Sequence, residues 1–355
     1  MVVEAKVFPR VKLCGGLMTG KAQDALRQVL GEAGQEECLQ ACTASHERKF
    51  SLWQRAADGS MHRQVMVEPR RPILLVDRPK FDRWMFDRCR ATEGVQVLEG
   101  DGVTDIDFDR HVVTLASGRQ ITYSRLVAAD GANSVVERLM AKRKPRGWQS
   151  RKTRCADSFC LEVNVDRADC PDVEGVCIYF GVVPESYAWA FAKGDQVCLG
   201  LVKLSWREFD VRETFLRFLR EVGVRNVEKY ALRGAMLPFG NPMRCPSVDA
   251  LDVVFAGDAA GLVEPLTGEG IYYALQSGLW AGKCAASEYV EKVHYLHRLI
   301  RKGGGYQRVL LYPPILRFVC RHADHHRGFF EHFYSTQIEQ GCLDSFPVIV
   351  WKYFH

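Results

Sequence analysis

Val2 and Val3 open the chain ahead of Glu4, and a glycine-containing stretch, KLCGGLMTG, separates them from a helical pattern over residues 21–30. Between 46 and 76 apolar and polar positions alternate in FSLWQ, HRQVMVEP and PILLVD, the period-two signature of strands in one sheet layer. Pro79 then opens a helix, FDRWMFDRCRA, with Phe81, Trp84, Met85 and Arg88 at helical spacing. Residues 95–130 read as a β-meander that turns at Ser117 and Gly118 and ends in a buried strand, LVAA, stopping at Asp130 and Gly131. FCLEVNVD, VCIYFGVV, YAWAFA and QVCLGLV, with one helix near residues 212–221, predict a separate sheet-based domain between 151 and 245. From residue 251 the pattern returns to strand, turn and helix, with one long helix expected over 270–293. The tail, 301–355, reads as helical and rich in Tyr, Phe, Arg and His.

Composition narrows this α/β picture. At roughly 150 residues per domain, 355 residues make two or three domains. Lys and Arg number 48 against 43 Asp and Glu, a net charge of +5 with no long basic run, so there is no electrostatic case for a nucleic-acid partner. The 13 cysteines form no CxxC pair and follow no secretory signal segment, so we expect reduced thiols and a cytoplasmic protein. Asp258, Glu264, Glu269 and Lys283 interrupt the apolar runs that a membrane-spanning helix would need.

The densest chemical signal is VVFAGDAAGLVEPLTGEGIYYALQSG, residues 253–278. A buried strand ends at Gly257 and Asp258, and a second glycine-rich turn, Gly268-Glu269-Gly270, opens a helix. Small residues let backbone approach a ligand, an Asp at a strand end accepts hydrogen bonds from sugar hydroxyls, and the free N–H groups of a helix start favour negative charge. A flavin uses all three. Either piece alone would equally suit an ordinary turn; both in tandem point to the cofactor.

On these residues the chain resembles the FAD-dependent oxidoreductases of the geranylgeranyl reductase type, with their p-hydroxybenzoate hydroxylase-like fold, over about residues 1–290. The resemblance implies a Rossmann-like FAD-binding domain from 1–45, 71–145 and 246–300. It also implies an inserted, mainly antiparallel β-sheet substrate domain from 46–70 and 146–245, and a helical C-terminal region from 301–355. Asp258 then binds the ribityl chain beside Gly257, and Gly268, Glu269 and Gly270 lie at the isoalloxazine. AADGANSVVER resembles the family's DG motif, with Asp130, Gly131, Ser134 and Arg138 in register; a helix capped by Ser134 would need no cofactor. VDRPKFDRWM matches the helix-opening segment near the flavin through Arg78, Phe81 and Asp82, which could equally be a helix-start salt bridge.

VVEAKVFPRVKLCGG resembles the end of the second Rossmann strand and the Cys-Gly-Gly loop. Glu4 would hold the adenosine ribose, Arg10 and Lys12 would sit near the cofactor, and Cys14, Gly15 and Gly16 would border the cavity. The catalytic candidates are Cys14, Gly268 and Glu269. YAWAFAKGDQVCLG resembles the substrate-domain element of prenyl reductases through Tyr187, Trp189, Phe191, Lys193 and Gly200, with Ala192 where proline is expected. Aromatics alternating on one strand face build an apolar wall suited to a lipid chain.

The family's first FAD motif, a strand followed by GxGxxG, has no counterpart ahead of VVEA, and we expect the sequence to begin downstream of the true start. The reading is a FAD-dependent reductase of apolar, isoprenoid-like double bonds. The alternatives are a flavin monooxygenase of the same fold and a non-catalytic binding protein that has lost FAD. The electron donor, NAD(P)H or another reductant, and the oligomeric state stay open. LLYPPILRFVCRH and VIVWKYFH suit peripheral membrane contact or a lid, although core packing is the commoner use of such stretches. His322, His325 and His326 have helical spacing, but no metal site is assigned to them.

Overall fold

The structure is a computed structural model describing residues 1–321 apart from 57, 145–147, 149–157, 205–206, 241, 244–246 and 249–251, together with 328, 330, 331, 334 and 335. Its elements begin with β1 (Val2–Glu4), β2 (Leu17–Met18), α1 (Gly20–Cys42), β3 (Thr43–Glu47), β4 (Phe50–Arg55), β5 (Met61–Val67), β6 (Ile73–Val76) and α2 (Arg78–Ala91). Next come β7 (Val97–Glu99), β8 (Val103–Asp107), β9 (Val112–Leu115), β10 (Gln120–Thr122), β11 (Leu126–Ala128) and α3 (Val135–Arg143). The sheet-rich middle holds β12 (Ser158–Asp166), β13 (Val176–Phe180), β14 (Tyr187–Lys193), β15 (Gln196–Lys203), α4 (Val211–Glu221), β16 (Arg233–Leu237), β17 (Ser247–Val248) and β18 (Val253–Phe255). Helices α5 (Ile271–Lys283), α6 (Ala286–Leu310) and α7 (Pro313–Arg321) follow.

Seven strands form one sheet in the order β16-β12-β15-β14-β13-β4-β5, antiparallel except where β13 runs parallel to β4. Because side chains alternate across a strand, this sheet has two different faces. Leu161, Val163, Val165, Leu199 and Leu201 pack beneath Phe215, Phe218 and Leu219 of α4. Tyr187, Trp189, Phe191, Cys198 and Val202 form a second cluster on the opposite side. The parallel pairs β1 with β7 and β11 with β18 lie in separate short sheets. A third core joins β18 to the meander, α3, α5 and α6.

Several expectations are corrected here. The meander is confined to β8, β9 and β10, since β7 leaves to pair with β1 and β11 with β18. Strand β11 is not fully buried, because Val127 is 40% exposed. PILLVD does not join the strands of FSLWQ and HRQVMVEP: β6 pairs with β2 and β3, and β4 and β5 with the large sheet. Helix α1 runs on past residue 30, with a kink at Gly31, whose φ is 74°. The single helix expected over 270–293 is two, interrupted where Cys284 turns extended and its carbonyl accepts from Arg125 Nη1 at 2.7 Å. The three histidines and VIVWKYFH lie outside the described residues.

Candidate active site

A cavity of about 750 Å³ runs between the large sheet and the loops around β1, β2 and β18. Its walls include Arg10, Lys12, Cys14, Gly15 and Gly16 from the loop after β1, Arg78 from α2, and Gly131. Gly257, Asp258, Gly268, Glu269 and Gly270 border it from the other side, and Tyr187, Trp189 and Phe191 from β14. Glu4, Asp130 and Lys193 do not line it. Glu4 stands one residue layer away, accepting from Arg10 Nε at 3.3 Å. Asp130 is committed to helix α3, where its Oδ2 accepts from the N–H groups of Val135 and Val136 at 2.7 and 3.2 Å. Ser134 caps the same helix through Glu137 N–H. Lys193 ends β14 with its Nζ close behind Gly16.

The polar end is a network of charge pairs. Arg10 stacks over the Phe8 ring at 4.9 Å and reaches Asp82 at 3.5 Å. Arg78 holds the same Asp82 at 2.9 Å, an i,i+4 pair within α2, and also bonds the Cys14 side chain. Lys12 Nζ lies 3.0 Å from Asp258 Oδ2, joining the loop after β1 to the turn after β18. Strand β18 feeds that turn directly. Gly257 takes φ 56°, a left-handed conformation that suits glycine, and its N–H donates to Ser277 Oγ at 3.0 Å.

The PLTGEG loop is folded around a buried carboxylate that sequence reasoning missed. Glu264 accepts from the N–H groups of Leu266 and Thr267 at 3.0 and 2.7 Å and from the Thr267 hydroxyl at 2.6 Å. Burial pushes its pKa up, against the pull of these donors. Glu269, whose side chain is 4% exposed, pairs with Lys21 at 2.7 Å and accepts from the Thr19 hydroxyl. The loop is thereby tied to the start of α1. Helix α5 begins after Gly270 with no side-chain cap, so its first N–H groups stay available at the cavity.

Two glycines bring the loops against the aromatic wall. A Cβ on Gly15 would lie 2.5 Å from the Phe191 ring, and one on Gly268, at φ 70°, would lie 2.5 Å from the Tyr187 hydroxyl. Beyond them the wall is apolar: Phe50, Leu52, Ile178 and Phe180 continue it along the sheet. One acid interrupts it. Glu162 of β12 lines the cavity, is 3% exposed, and accepts the Cys14 N–H at 3.2 Å. Burial raises its pKa, opposed by the Lys193 charge and by the Cys14 N–H. Sequence reasoning did not single it out: FCLEVNVD reads only as a strand, in which Glu162, Asn164 and Asp166 share one face. The last two are exposed, and Glu162 is buried where the loop after β1 covers the sheet.

No family model matches the chain. It is 25% identical over 315 residues to an uncharacterized protein of Methanosarcina barkeri, covering 88% of this chain and 73% of that one. It is 30% identical over 223 residues to a digeranylgeranylglycerophospholipid reductase of Methanococcus vannielii, covering 60% of this chain. The match spans 55% of that reductase, little more than half its length. The fold is similar to that of a geranylgeranyl bacteriochlorophyll reductase-like protein of Thermoplasma acidophilum, with a TM-score of 0.64 and 14% identity over 99% of this chain and 91% of that one. The motif positions, the Rossmann-like and sheet layers and these similarities agree: in sequence and fold the chain is similar to FAD-dependent oxidoreductases of the geranylgeranyl reductase type.

Proposed function

We propose that this protein binds FAD across the polar end of the cavity and saturates carbon–carbon double bonds of an isoprenoid chain lying along the apolar end. The carrying observation is the joining of those two ends in one space: the Gly257-Asp258 and Gly268-Glu269-Gly270 turns share a cavity of about 750 Å³ with Tyr187, Trp189 and Phe191. The residues suit the cofactor. Asp258 can accept from ribityl hydroxyls while Lys12 holds its carboxylate in place, and the uncapped start of α5 favours negative charge at the flavin ring. Arg10 and Arg78, oriented by Asp82, supply fixed positive charge beside Cys14 and Gly15. Bound flavin supplies hydride chemistry; the protein supplies position, charge and exclusion of water.

The apolar wall suits a flexible hydrocarbon better than a compact aromatic substrate, because it extends over several strands from Phe191 to Phe50 and on to Leu310, Leu311 and Leu316. Beside those last three, Val309, Tyr312 and Phe318 stand exposed, which supports lipid arriving at this mouth from a membrane surface. Among the described residues no helix is long and apolar enough to cross a membrane.

The test is the visible absorbance of the purified chain after incubation with FAD and gel filtration, followed by anaerobic reduction and addition of geranylgeraniol in detergent. Bound oxidised flavin and a product heavier by two hydrogens per reduced bond are expected. A colourless chain that cannot be loaded overturns the reading in favour of a binding protein. Oxygen-dependent hydroxylation of an aromatic compound with NADPH consumption would overturn it in favour of a monooxygenase.

A further inference from the structure

From its place on the cavity wall we infer that Glu162 is the proton donor of this site, delivering the second hydrogen of each double-bond reduction. This rests on the reductase reading above. The large sheet contributes Phe50, Leu52, Val65, Ile178, Trp189 and their neighbours to the wall, and among the described residues Glu162 is the charged side chain that it contributes. Burying a carboxylate costs several kcal/mol, so a sheet face used only for packing has no reason to carry one. Oε1 accepts the Cys14 N–H, while Oε2 is enclosed with no nitrogen or oxygen partner. A carboxylic acid with one oxygen fixed and the other free to carry the proton has the form of a donor, and burial keeps the proton on it.

Anchoring the Cys14 loop does not account for the acid, since the amide oxygen of Gln would accept the same N–H. The groups facing Glu162 suit the charge left after transfer. Lys193 of β14 and Arg78 of α2 favour the carboxylate, and Cys198 of β15 bonds to it. Cys160, two residues back on β12, is a thiol held neutral by burial, and Arg233, the register partner of Glu162 on β16, is exposed. In the balanced step the alkene π bond breaks, one carbon gains hydride from reduced flavin, and the adjacent carbon gains the Glu162 proton. The substrate gains two electrons, the flavin loses two, and the carboxylate takes its proton back from water.

Infrared difference spectra of the purified full chain at pH 7, wild type minus Glu162→Gln, read the acid without turnover. The carboxylic C=O band of a protonated side chain is expected; a carboxylate band in its place overturns the proposal. With FAD loaded and reduced by dithionite, the alkene-dependent reoxidation rate on geranylgeraniol is expected to fall by about 10²–10⁴-fold in Glu162→Gln, the usual size of a lost general acid. Its pH profile should be flat, where wild type declines as pH rises. Glu162→Asp, which keeps an acid, should recover part of the rate with a wild-type-shaped profile, and it carries the same test if the Gln variant fails to fold. A folded Gln variant within about tenfold of wild type overturns the donor role and leaves the reductase reading standing. A wild-type chain that holds reduced flavin and leaves the alkene untouched overturns the reductase reading, and the donor role with it.

Discussion

The same strands build two unlike surfaces on the two faces of the seven-stranded sheet. Under α4 the inward residues pack together: Leu161, Val163, Leu199 and Leu201 meet Phe215, Phe218 and Leu219, the last three fully buried. On the other face Tyr187, Trp189 and Phe191 are buried nearly as deeply yet border a cavity of about 750 Å³, and Glu162 stands among them. A void forfeits contacts and an enclosed carboxyl forfeits hydration. The α4 face therefore supplies stability that the cavity face gives up, and the cavity face has the shape of a surface awaiting a ligand.

The largest expected effect comes from breaking the packed face. Phe218→Ala should destabilise the chain by about 3–5 kcal/mol, the cost of a large cavity in a filled core, read from denaturant unfolding. Phe191→Ala on the cavity face should cost less, because its ring already borders open space, and should instead weaken retention of geranylgeraniol. Equal stability losses at the two positions would mean that the two faces are packed alike.

Filling the cavity side from the opposite wall sharpens the contrast. Gly15→Ala places a methyl 2.5 Å from the Phe191 ring, so one of the two must move. An overpacked contact costs about 1–3 kcal/mol. Here part of the strain can be relieved by displacing Phe191 into the cavity, so we expect a loss at the low end of that range together with reduced ligand uptake, read by thermal unfolding and equilibrium binding on the same preparation. A methyl that lowers stability but leaves uptake intact would place Phe191 in the core rather than at the cavity.

The difference between the faces was only half legible in the sequence. Period-two alternation in YAWAFAK and QVCLGLV marks strands, and the tandem GDAAG and PLTGEG turns mark a place where backbone meets a ligand. Alternation does not say what covers a face. It left Glu162 unremarked, because nothing local in LEVNVD announces that the Cys14 N–H meets its carboxyl from 148 residues away. Register partners were equally hidden: β7 and β11 read as parts of a meander, but their pairing with β1 and β18 is decided by contacts between residues far apart in the chain. The break between α5 and α6 is of the same kind, since Arg125, which takes the Cys284 carbonyl, is 159 residues away. Candidate positions carried by glycine spacing gather at the cavity, whereas Glu4 and Asp130, read from strand ends, and Lys193, read from the prenyl-reductase element, stand outside it.

Asp258 probes the polar end without touching either sheet face. Asp258→Asn removes the ion pair with Lys12 at 3.0 Å and a charged acceptor. A hydrogen bond to a charged group is worth about 1.5–3 kcal/mol, so FAD affinity should fall roughly ten- to a hundredfold by flavin fluorescence titration, with little change in unfolding midpoint because the pair is partly open to solvent, Lys12 more so than Asp258. An unchanged affinity would take Asp258 out of the flavin site.

The smallest effect is the most discriminating, because it depends on pH on one face alone. Burial raises the folded-state pKa of Glu162 above its usual value, so the folded chain keeps a proton that the unfolded chain releases. Its contribution to stability is therefore fully present below about pH 4.5, the ordinary value for Glu, and is lost as pH rises through the raised folded value. Gln carries no such proton. The unfolding free energy of Glu162→Gln relative to wild type should improve steadily as pH rises above about 4.5 and level off once the raised folded value is passed. Glu264, which shares the direction of shift, is present in both chains and cancels. On the α4 face, burial pushes the Cys170 thiol up to about 11, beyond this window, so Phe218→Ala should shift stability by the same amount at every pH in the series. If Glu162→Gln instead loses stability as pH rises, Glu162 is an ionised partner of Lys193 and Arg78, and the cavity face is held together by charge rather than opened for a ligand.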